Sequence, residues 1–452
     1  MSLRFGTDGV RGVANRDLTP EHVTAIGRAA ARVLGCDAPF VVGRDTRRSG
    51  PMLEAALVAG LCAGGADALL AGVVPTPAVA QWAATHGAAA AMITASHNPF
   101  ADNGVKLFAP GGRKLDDGTQ AEIEAVIAET VGAPDPTGPT GPTGRGVGVV
   151  SELRDALDGY VTHVVASVEG RRLDGLRVVV DCGNGAAFRA APRALEALGA
   201  DVEVLHAVPD GTNINDGCGS TDPTDLRRAV VAHGADCGLA FDGDADRLIA
   251  IDADGKIVDG DQLIAIAAFD LRERGRLRHD AVVVTRMSNG ALGRLLRATG
   301  IDVVEVDVGD RNVLDALARH DLALGGEQSG HLIYADLATT GDGLLAGVQL
   351  LDVLHETGRS LGALAGVLEP TPQVLRSVRV TSAAGLDADA GFRAEVDRVR
   401  ADLGETGRVL VRPSGTEPVV RVMVEAPTTA AAEAAADRLL AAVAAACGDP
   451  GL

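Results

Sequence analysis

Cys237-Gly238-Leu239-Ala240-Phe241-Asp242-Gly243-Asp244-Ala245-Asp246-Arg247 sets an apolar run directly against a loop with three carboxylates at alternate positions. A short apolar run that ends in glycine and polar residues reads as a strand buried on both faces, and such strands belong to sheets flanked by helices. The same pattern recurs outward from this stretch. Towards the N-terminus, the runs Phe40 to Val42, Ala68 to Val74 and Ala88 to Ile93 alternate with helix-like Met52 to Cys62 and Ala78 to Ala84. A second unit carries Leu176 to Val180, Ala190 to Leu198 and Val202 to Leu205, and closes at Cys237 to Phe241. A third has strand candidates Ala281 to Thr285 and Val303 to Val306, with helix-like Val313 to Ala318 and Gly343 to His355. After Pro370 and Pro372 the rhythm changes to strands Val374 to Val380, Val409 to Arg412 and Val419 to Glu425, with helices over Phe392 to Leu403 and from Ala430. That last part is a small α+β unit. Gly132 to Gly148, with its repeated Thr-Gly-Pro, follows the helix-like Gln120 to Val131 and reads as an exposed loop near a boundary. The expected fold class is α/β with four domains, three similar α/β/α sandwich units and a smaller α+β C-terminal domain around one central cleft. The expected domains are 1–148, 149–252, 253–369 and 370–452.

Composition narrows the function classes. The 452 residues are 46% hydrophobic but only 2% aromatic, so the core has to be built from Ala, Val, Leu and Ile. A formal net charge of −20 opposes polyanions, which argues against nucleic acid or an anionic membrane as partner. The only lysines are Lys106, Lys114 and Lys256, so an anionic substrate would need local arginines. Six cysteines without a C-x-x-C pair suggest neither a disulfide framework nor a zinc site. With no apolar leader or membrane span in the sequence, a cytoplasmic location is the expectation.

Four segments, each at the end of a predicted strand, carry the chemistry. Thr94-Ala95-Ser96-His97-Asn98-Pro99 exposes a serine on a turn with a histidine beside it and Lys106 shortly after. Alone it is compatible with a turn or helix cap, and no G-x-S-x-G elbow surrounds Ser96. Asp242, Asp244 and Asp246 repel one another within one loop, a conflict that a divalent cation reverses, with magnesium the natural candidate. An EF-hand is excluded, because its sixth and twelfth positions would be Arg247 and Ala253. In Gly325-Gly326-Glu327-Gln328-Ser329-Gly330-His331, Glu327 and Ser329 suit sugar hydroxyls. In Arg412-Pro413-Ser414-Gly415-Thr416-Glu417-Pro418, followed by Arg421, two hydroxyls, freed backbone N–H groups and two arginines make a cradle for a phosphate dianion. It is not a Walker loop, since no G-K-[ST] follows. Asp181-Cys182-Gly183-Asn184-Gly185-Ala186 has Phe188 where a dinucleotide loop needs its third glycine, and reads as a strand-to-helix turn. Gly6-Thr7-Asp8-Gly9-Val10-Arg11-Gly12 adds Arg11 as a further cation.

Taken in order, these motifs resemble the α-D-phosphohexomutase superfamily, with its T-[AG]-S-H-N-P phosphoserine loop, D-G-D-x-D-R metal loop, G-E-x-S-G-H sugar loop and R-x-S-G-T-E-P phosphate loop. The resemblance spans essentially the whole chain. Phe5 to Gly12, Gln328 and Val308-Gly309-Asp310-Arg311 look like the branch that acts on glucosamine phosphates. Thr-Gly-Pro repeats after the first domain and Ser2 near the start depart from the pattern without touching a site motif.

The resemblance implies interconversion of glucosamine 6-phosphate and glucosamine 1-phosphate, on the way to UDP-N-acetylglucosamine, through a phosphorylated Ser96. It implies one Mg²⁺ on Ser96, Asp242, Asp244 and Asp246, and glucosamine 1,6-bisphosphate or another phosphoryl donor to prime the serine. Arg11, Lys106 and Arg247 would surround the phosphoryl group, with Lys106 as general acid or base and His97 helping to hold the geometry. Glu327 and Ser329 would grip the sugar, while Arg412, Ser414, Gly415, Thr416 and Arg421 would hold the substrate's phosphate. Motion about Glu369 to Pro372 would let the bisphosphate turn over, and a homodimer is what the family suggests. The rivals are a glucose- or mannose-phosphate mutase of the same superfamily, a non-catalytic sugar-phosphate binder, and a phosphatase with a water path to the phosphoserine.

Overall fold

The computed structural model describes residues 5–6, 8–132, 141–382, 385–404, 407–413 and 419–448. Ser2, Thr7, most of the Thr-Gly-Pro stretch (133–140), and Ser414, Gly415 and Thr416 lie outside the described residues.

The first sheet is built from β1 (Val10–Val13), β2 (Phe40–Arg44), β3 (Ala68–Val73), β4 (Ala90–Ile93), β5 (Asp102–Ala109), β6 (Arg113–Lys114) and β7 (Val150–Glu152), in the order β1-β5-β4-β2-β3-β7 with β6 on β5. The second runs β12-β11-β10-β8-β9, from β8 (Arg177–Asp181), β9 (Asp201–Leu205), β10 (Cys237–Phe241), β11 (Leu248–Asp252) and β12 (Ile257–Val258). The third runs β14-β13-β15-β16, from β13 (Ala281–Thr285), β14 (Asp302–Val306), β15 (Leu324–Gly326) and β16 (Leu332–Tyr334).

One motif repeats in all three. Three parallel strands, in the spatial orders β3-β2-β4, β9-β8-β10 and β14-β13-β15, are each followed by an antiparallel neighbour, β5, β11 or β16. Each connection into that antiparallel strand is a site loop: Ser96 lies between β4 and β5, the aspartates between β10 and β11, and Glu327 between β15 and β16. The similarity of rhythm in the sequence is thus a similarity of topology. Strands β4 and β10 are buried at every position, as expected for parallel strands covered on both faces.

The C-terminal sheet is antiparallel, β17 (Gln373–Arg379), β19 (Val419–Glu425) and β18 (Arg408–Pro413) in the order β17-β19-β18, and its core joins Val420, Val422 and Val424 to Phe392, Val399 and Leu439 of two helices.

The chain divides into two compact units, Met1–Met287 with Asp302–Gly366, and Ser288–Ile301 with Val367–Leu452. Within the second, Asn289 is tied to Thr371 in both directions, donating to its carbonyl at 2.9 Å and accepting from its N–H at 3.0 Å. Glu425 there is wholly buried, accepts from the Gly290 N–H and pairs with Arg408 at 2.6 Å.

Some elements lie outside the sequence expectation. A helix spans Pro20–Leu34, capped by Thr19, whose side chain accepts from the His22 N–H, with Pro20 in its first turn. Strand β5 carries Lys106, and its opening Asp102-Asn103-Gly104 has turn composition, yet these residues pair with β1. The second unit does not close at Phe241 but continues into β11 and β12.

Candidate active site

Ser96 leaves β4 with φ 52, in the left-handed region that a residue with a Cβ enters only when its surroundings hold it there. It is 1% exposed, and its hydroxyl donates to Asp242 Oδ2 at 2.6 Å. His97 Nδ1 lies 3.3 Å from the same hydroxyl. Burial, with Arg247 and Arg11 nearby, pulls the His97 imidazole down to about 4, so the ring is neutral at physiological pH.

The aspartates sit on the turn after β10, where Ala245 also takes a positive φ. Asp242, Asp244 and Asp246 are all buried, and one carboxylate oxygen from each lies within 4.8 Å of the others. Lys106 Nζ reaches across from β5 to Asp244 Oδ2 at 2.8 Å, Asp246 Oδ2 at 2.7 Å and Asp8 Oδ2 at 3.0 Å. Burial, then the charges of Asp246 and Asp244, push the Asp242 carboxyl well above the usual carboxylate range. Burial is the strongest single influence on Asp246 and would raise it, but Lys106, His331 and Arg247 together hold that carboxyl low. Burial alone would lower Lys106; Asp244, Asp246 and Asp8 together hold it well above its ordinary value.

Asp244 Oδ1 and Asp246 Oδ1 are buried without a hydrogen-bond partner. Three crowded carboxylates, two of them with an unsatisfied oxygen, form a donor set of hard ligands suited to a small divalent cation. The residues fit the metal that the motif implies.

Arg247 donates its backbone N–H to Asp242 Oδ1 at 3.2 Å, and its guanidinium lies 3.9 Å from Asp246 Oδ1. Arg11 is paired with Asp8. Glu327 Oε1 accepts from the Gly309 N–H at 3.1 Å, and Ser329 Oγ lies 3.4 Å from Glu327 Oε2. Loop and neighbour meet backbone to backbone here. The Leu248 N–H donates to the Gly330 carbonyl at 2.9 Å, and the Gly260 N–H to the Gln328 carbonyl at 3.1 Å. Gly330 has φ +89, and a Cβ there would stand 2.0 Å from the Leu248 carbonyl oxygen; one on Gly260 would stand 2.1 Å from that of Glu327.

In the C-terminal unit Arg412 and Arg421 are direct cross-strand partners on β18 and β19.

Four further residues extend the charged network without having been selected from the sequence. Lys114 Nζ lies 2.5 Å from Asp8 Oδ1 and also pairs with Asp310, while the buried His331 has Nε2 3.8 Å from Asp310 Oδ2. Their signals were present: Asp8, Asp310 and His331 each lie inside a quoted motif, and Lys114 is one of three lysines.

Asp181, His206 and Cys218 also bring possible ligand atoms within 4.8 Å of one another. Both Asp181 oxygens already accept from backbone N–H groups, of Gly183 at 2.8 Å and Gly219 at 2.9 Å. Burial pushes the Cys218 thiol up to about 12. That group is a brace for the turn after β8, in line with the structural reading of Asp181 to Ala186.

Comparison with known families finds four successive domain matches along the chain. Models described as phosphoglucomutase/phosphomannomutase α/β/α domains I, II and III match residues 2–131, 158–255 and 259–370, and the C-terminal domain of that family matches 375–442. The chain belongs to the phosphoglucomutase/phosphomannomutase family, mutases of the isomerase class.

More particularly, it is 53% identical over 430 residues to a phosphoglucosamine mutase of Pelotomaculum thermopropionicum, covering 94% of this chain and 95% of that protein. It is 52% identical over 445 residues to a phosphoglucosamine mutase of Salinispora tropica, covering 97% and 98%. Among solved structures, a phosphoglucomutase/phosphomannomutase family protein of Burkholderia thailandensis superposes with a TM-score of 0.79 at 28% identity over 98% of both chains. The N-acetylphosphoglucosamine mutase of Aspergillus fumigatus, solved with GlcNAc-6P and magnesium, shares the fold with a TM-score of 0.72 at 19% identity, covering 99% of this chain and 96% of that one. No helix among the described residues is long and apolar enough to cross a membrane.

Proposed function

We propose that this chain interconverts glucosamine 6-phosphate and glucosamine 1-phosphate through a phosphorylated Ser96 and a glucosamine 1,6-bisphosphate intermediate. The observation that carries the reading is the Ser96 hydroxyl donating at 2.6 Å into a buried aspartate triplet. A phosphoserine holds about −1.5 to −2 charges, and three carboxylates beside it are tolerable only with cations at hand. The names of relatives about half identical to the chain favour the amino sugar.

Ser96, Asp242, Asp244 and Asp246 would hold Mg²⁺, which when bound supplies charge neutralisation and polarisation at the phosphoryl group. Around it the chain's own residues act by position. Arg11 and Arg247 face the phosphoryl oxygens. The bond from phosphorus to Ser96 Oγ breaks as a bond to the sugar hydroxyl forms; one proton leaves that hydroxyl and one arrives on Oγ. Lys106, its ammonium held protonated by the carboxylates around it, is assigned the proton that arrives on Oγ, and the amine so formed takes the one that leaves the sugar hydroxyl. His97, neutral, steadies the hydroxyl.

Glu327 and Ser329 take the sugar hydroxyls, and Arg412, Ser414, Gly415, Thr416 and Arg421 the phosphate already on the substrate. The bisphosphate turns end for end and returns its other phosphoryl group to Ser96, freeing the isomer; freedom for this comes from Glu369 to Pro372. The domains divide the labour accordingly: 1–148 bears the phosphoserine, 149–252 the metal, 253–369 the sugar loop and 370–452 the phosphate loop.

Intact-protein mass spectrometry with peptide mapping, before and after incubation with glucosamine 1,6-bisphosphate, is the test. One added phosphate on Ser96, absent in Ser96→Ala, is expected, together with turnover of glucosamine 1-phosphate. A preference of more than about tenfold for glucose or mannose 1-phosphate would overturn the choice of sugar.

A further inference from the structure

Asp45, Arg47 and Asn215, all outside the four loops, join Thr94 in enclosing the backbone of Ser96. The Ser96 N–H donates to Thr94 Oγ1 at 2.9 Å, and the Thr94 hydroxyl donates to Asp45 Oδ2 at 2.7 Å. That same oxygen accepts from Arg47 Nε at 2.9 Å, and Arg47 Nη2 donates to the Ser96 carbonyl at 2.9 Å. Four hydrogen bonds therefore form a closed ring through the two peptide groups that flank one side chain. Asn215 Nδ2 adds a second donor to the Ser96 carbonyl, at 2.9 Å.

An arginine so near a phosphoserine invites assignment as a phosphate ligand, and donor accounting excludes it. A guanidinium has five N–H donors. Arg47 gives Nε to Asp45, Nη1 to the carbonyls of Pro99 and Asp102, and Nη2 to those of Ser96 and Asn98. Nothing is left for a phosphate, the charge is met by Asp45, and both side chains are 0% exposed.

We propose that Asp45, Arg47 and Thr94 are positioning residues for phosphoryl transfer, holding Ser96 in its left-handed conformation so that Oγ meets Asp242. Their effect falls on the transfer step and not on substrate affinity. A reacting atom displaced by about 1 Å can lose roughly 100-fold in rate, and a Ser96 that relaxed to ordinary backbone angles would carry its hydroxyl off the triplet. The inference rests on Ser96 being the phosphorylated residue.

Thr94→Val keeps the side chain's shape and deletes both of its ring bonds, whereas Thr94→Ser keeps them. With full-length protein, kcat and KM for glucosamine 1-phosphate and the single-turnover rate of Ser96 phosphorylation by glucosamine 1,6-bisphosphate are measured. T94V is expected to lose about 10- to 100-fold in both rates with KM within about twofold, and T94S to recover to within about threefold of wild type. A T94V enzyme with unchanged kcat, a loss shared equally by T94S, or a loss confined to KM would overturn the proposal. Should T94V not fold, Asn215→Ala, which strips one donor from the Ser96 carbonyl and leaves Arg47 in place, must lower kcat by about tenfold at constant KM; wild-type kcat in N215A overturns it equally. Wild-type protein that takes no phosphate on Ser96 would instead sink the functional reading beneath it.

Discussion

Two groups of buried charge meet at Ser96, and they are finished differently. Arg47 has an acceptor for each of its donors and Asp45 a donor for both carboxylate oxygens, so that pair is complete without help from solvent or ligand. Asp242, Asp244 and Asp246 are just as buried, yet Asp244 and Asp246 each keep an oxygen with no hydrogen-bond partner and lean on the same lysine. Buried polar atoms are nearly always satisfied in a finished structure. A completed cluster is architecture, and one left short of donors is a place where something binds.

That distinction has consequences that can be measured. The largest is in rate: Ser96→Ala or Asp242→Asn is expected to cost about a thousandfold or more in kcat on glucosamine 1-phosphate, and retention of wild-type rate by S96A would end the scheme.

Stability should separate the clusters by sign. Arg47→Met removes one partner of a fully buried pair and strands Asp45, an expected loss of about 3–5 kcal/mol in denaturant titration. Asp242→Asn, melted in the presence of a chelator, removes a carboxylate whose ionised form is disfavoured by burial and its neighbours, and is expected to leave stability unchanged or raised by about 1 kcal/mol. Equal destabilisation by both would erase the distinction.

Adding Mg²⁺ to the wild type should raise its Tm, by about 2.7 kcal/mol of stability at 100 times the dissociation constant, with little or no rise in D242N.

The last effect is one of pH. His97 is pulled from its ordinary value to about 4, so the unfolded chain binds more protons than the native one between that value and about 6.5. Native stability from this group is therefore complete above the upper limit and is lost as pH falls through the window. His97→Gln should flatten the stability profile there; an unchanged slope would remove the histidine from the account.

The loops of Ser96, the aspartates and Glu327 could be located from sequence because each joins an apolar strand to a cluster of functional groups at a fixed address. Arg47 could not. Its work is done on main-chain carbonyls of Ser96, Asn98, Pro99 and Asp102, and carbonyls leave no trace in composition or spacing. Strand β5 was hidden for another reason, since Asp102, Asn103 and Gly104 have the composition of a turn and are held in a strand by pairing with β1. The helix Pro20–Leu34 is not among the elements expected from the sequence, although Thr19 as cap and Pro20 in its first turn are sequence signals for it. Asp8 and Lys114 matter through each other and through Lys106, Arg11 and Asp310, a partnership set largely by tertiary distance.

The joint between Leu248 and Gly330, mirrored by Gly260 against Glu327, has room for a hydrogen atom and for nothing larger. Any side chain there would act as a wedge. The turn bearing the aspartates and the turn bearing Glu327 are therefore seated backbone on backbone, tied by the Leu248–Gly330 and Gly260–Gln328 hydrogen bonds, and the proposed turnover of an intermediate would draw its space from elsewhere.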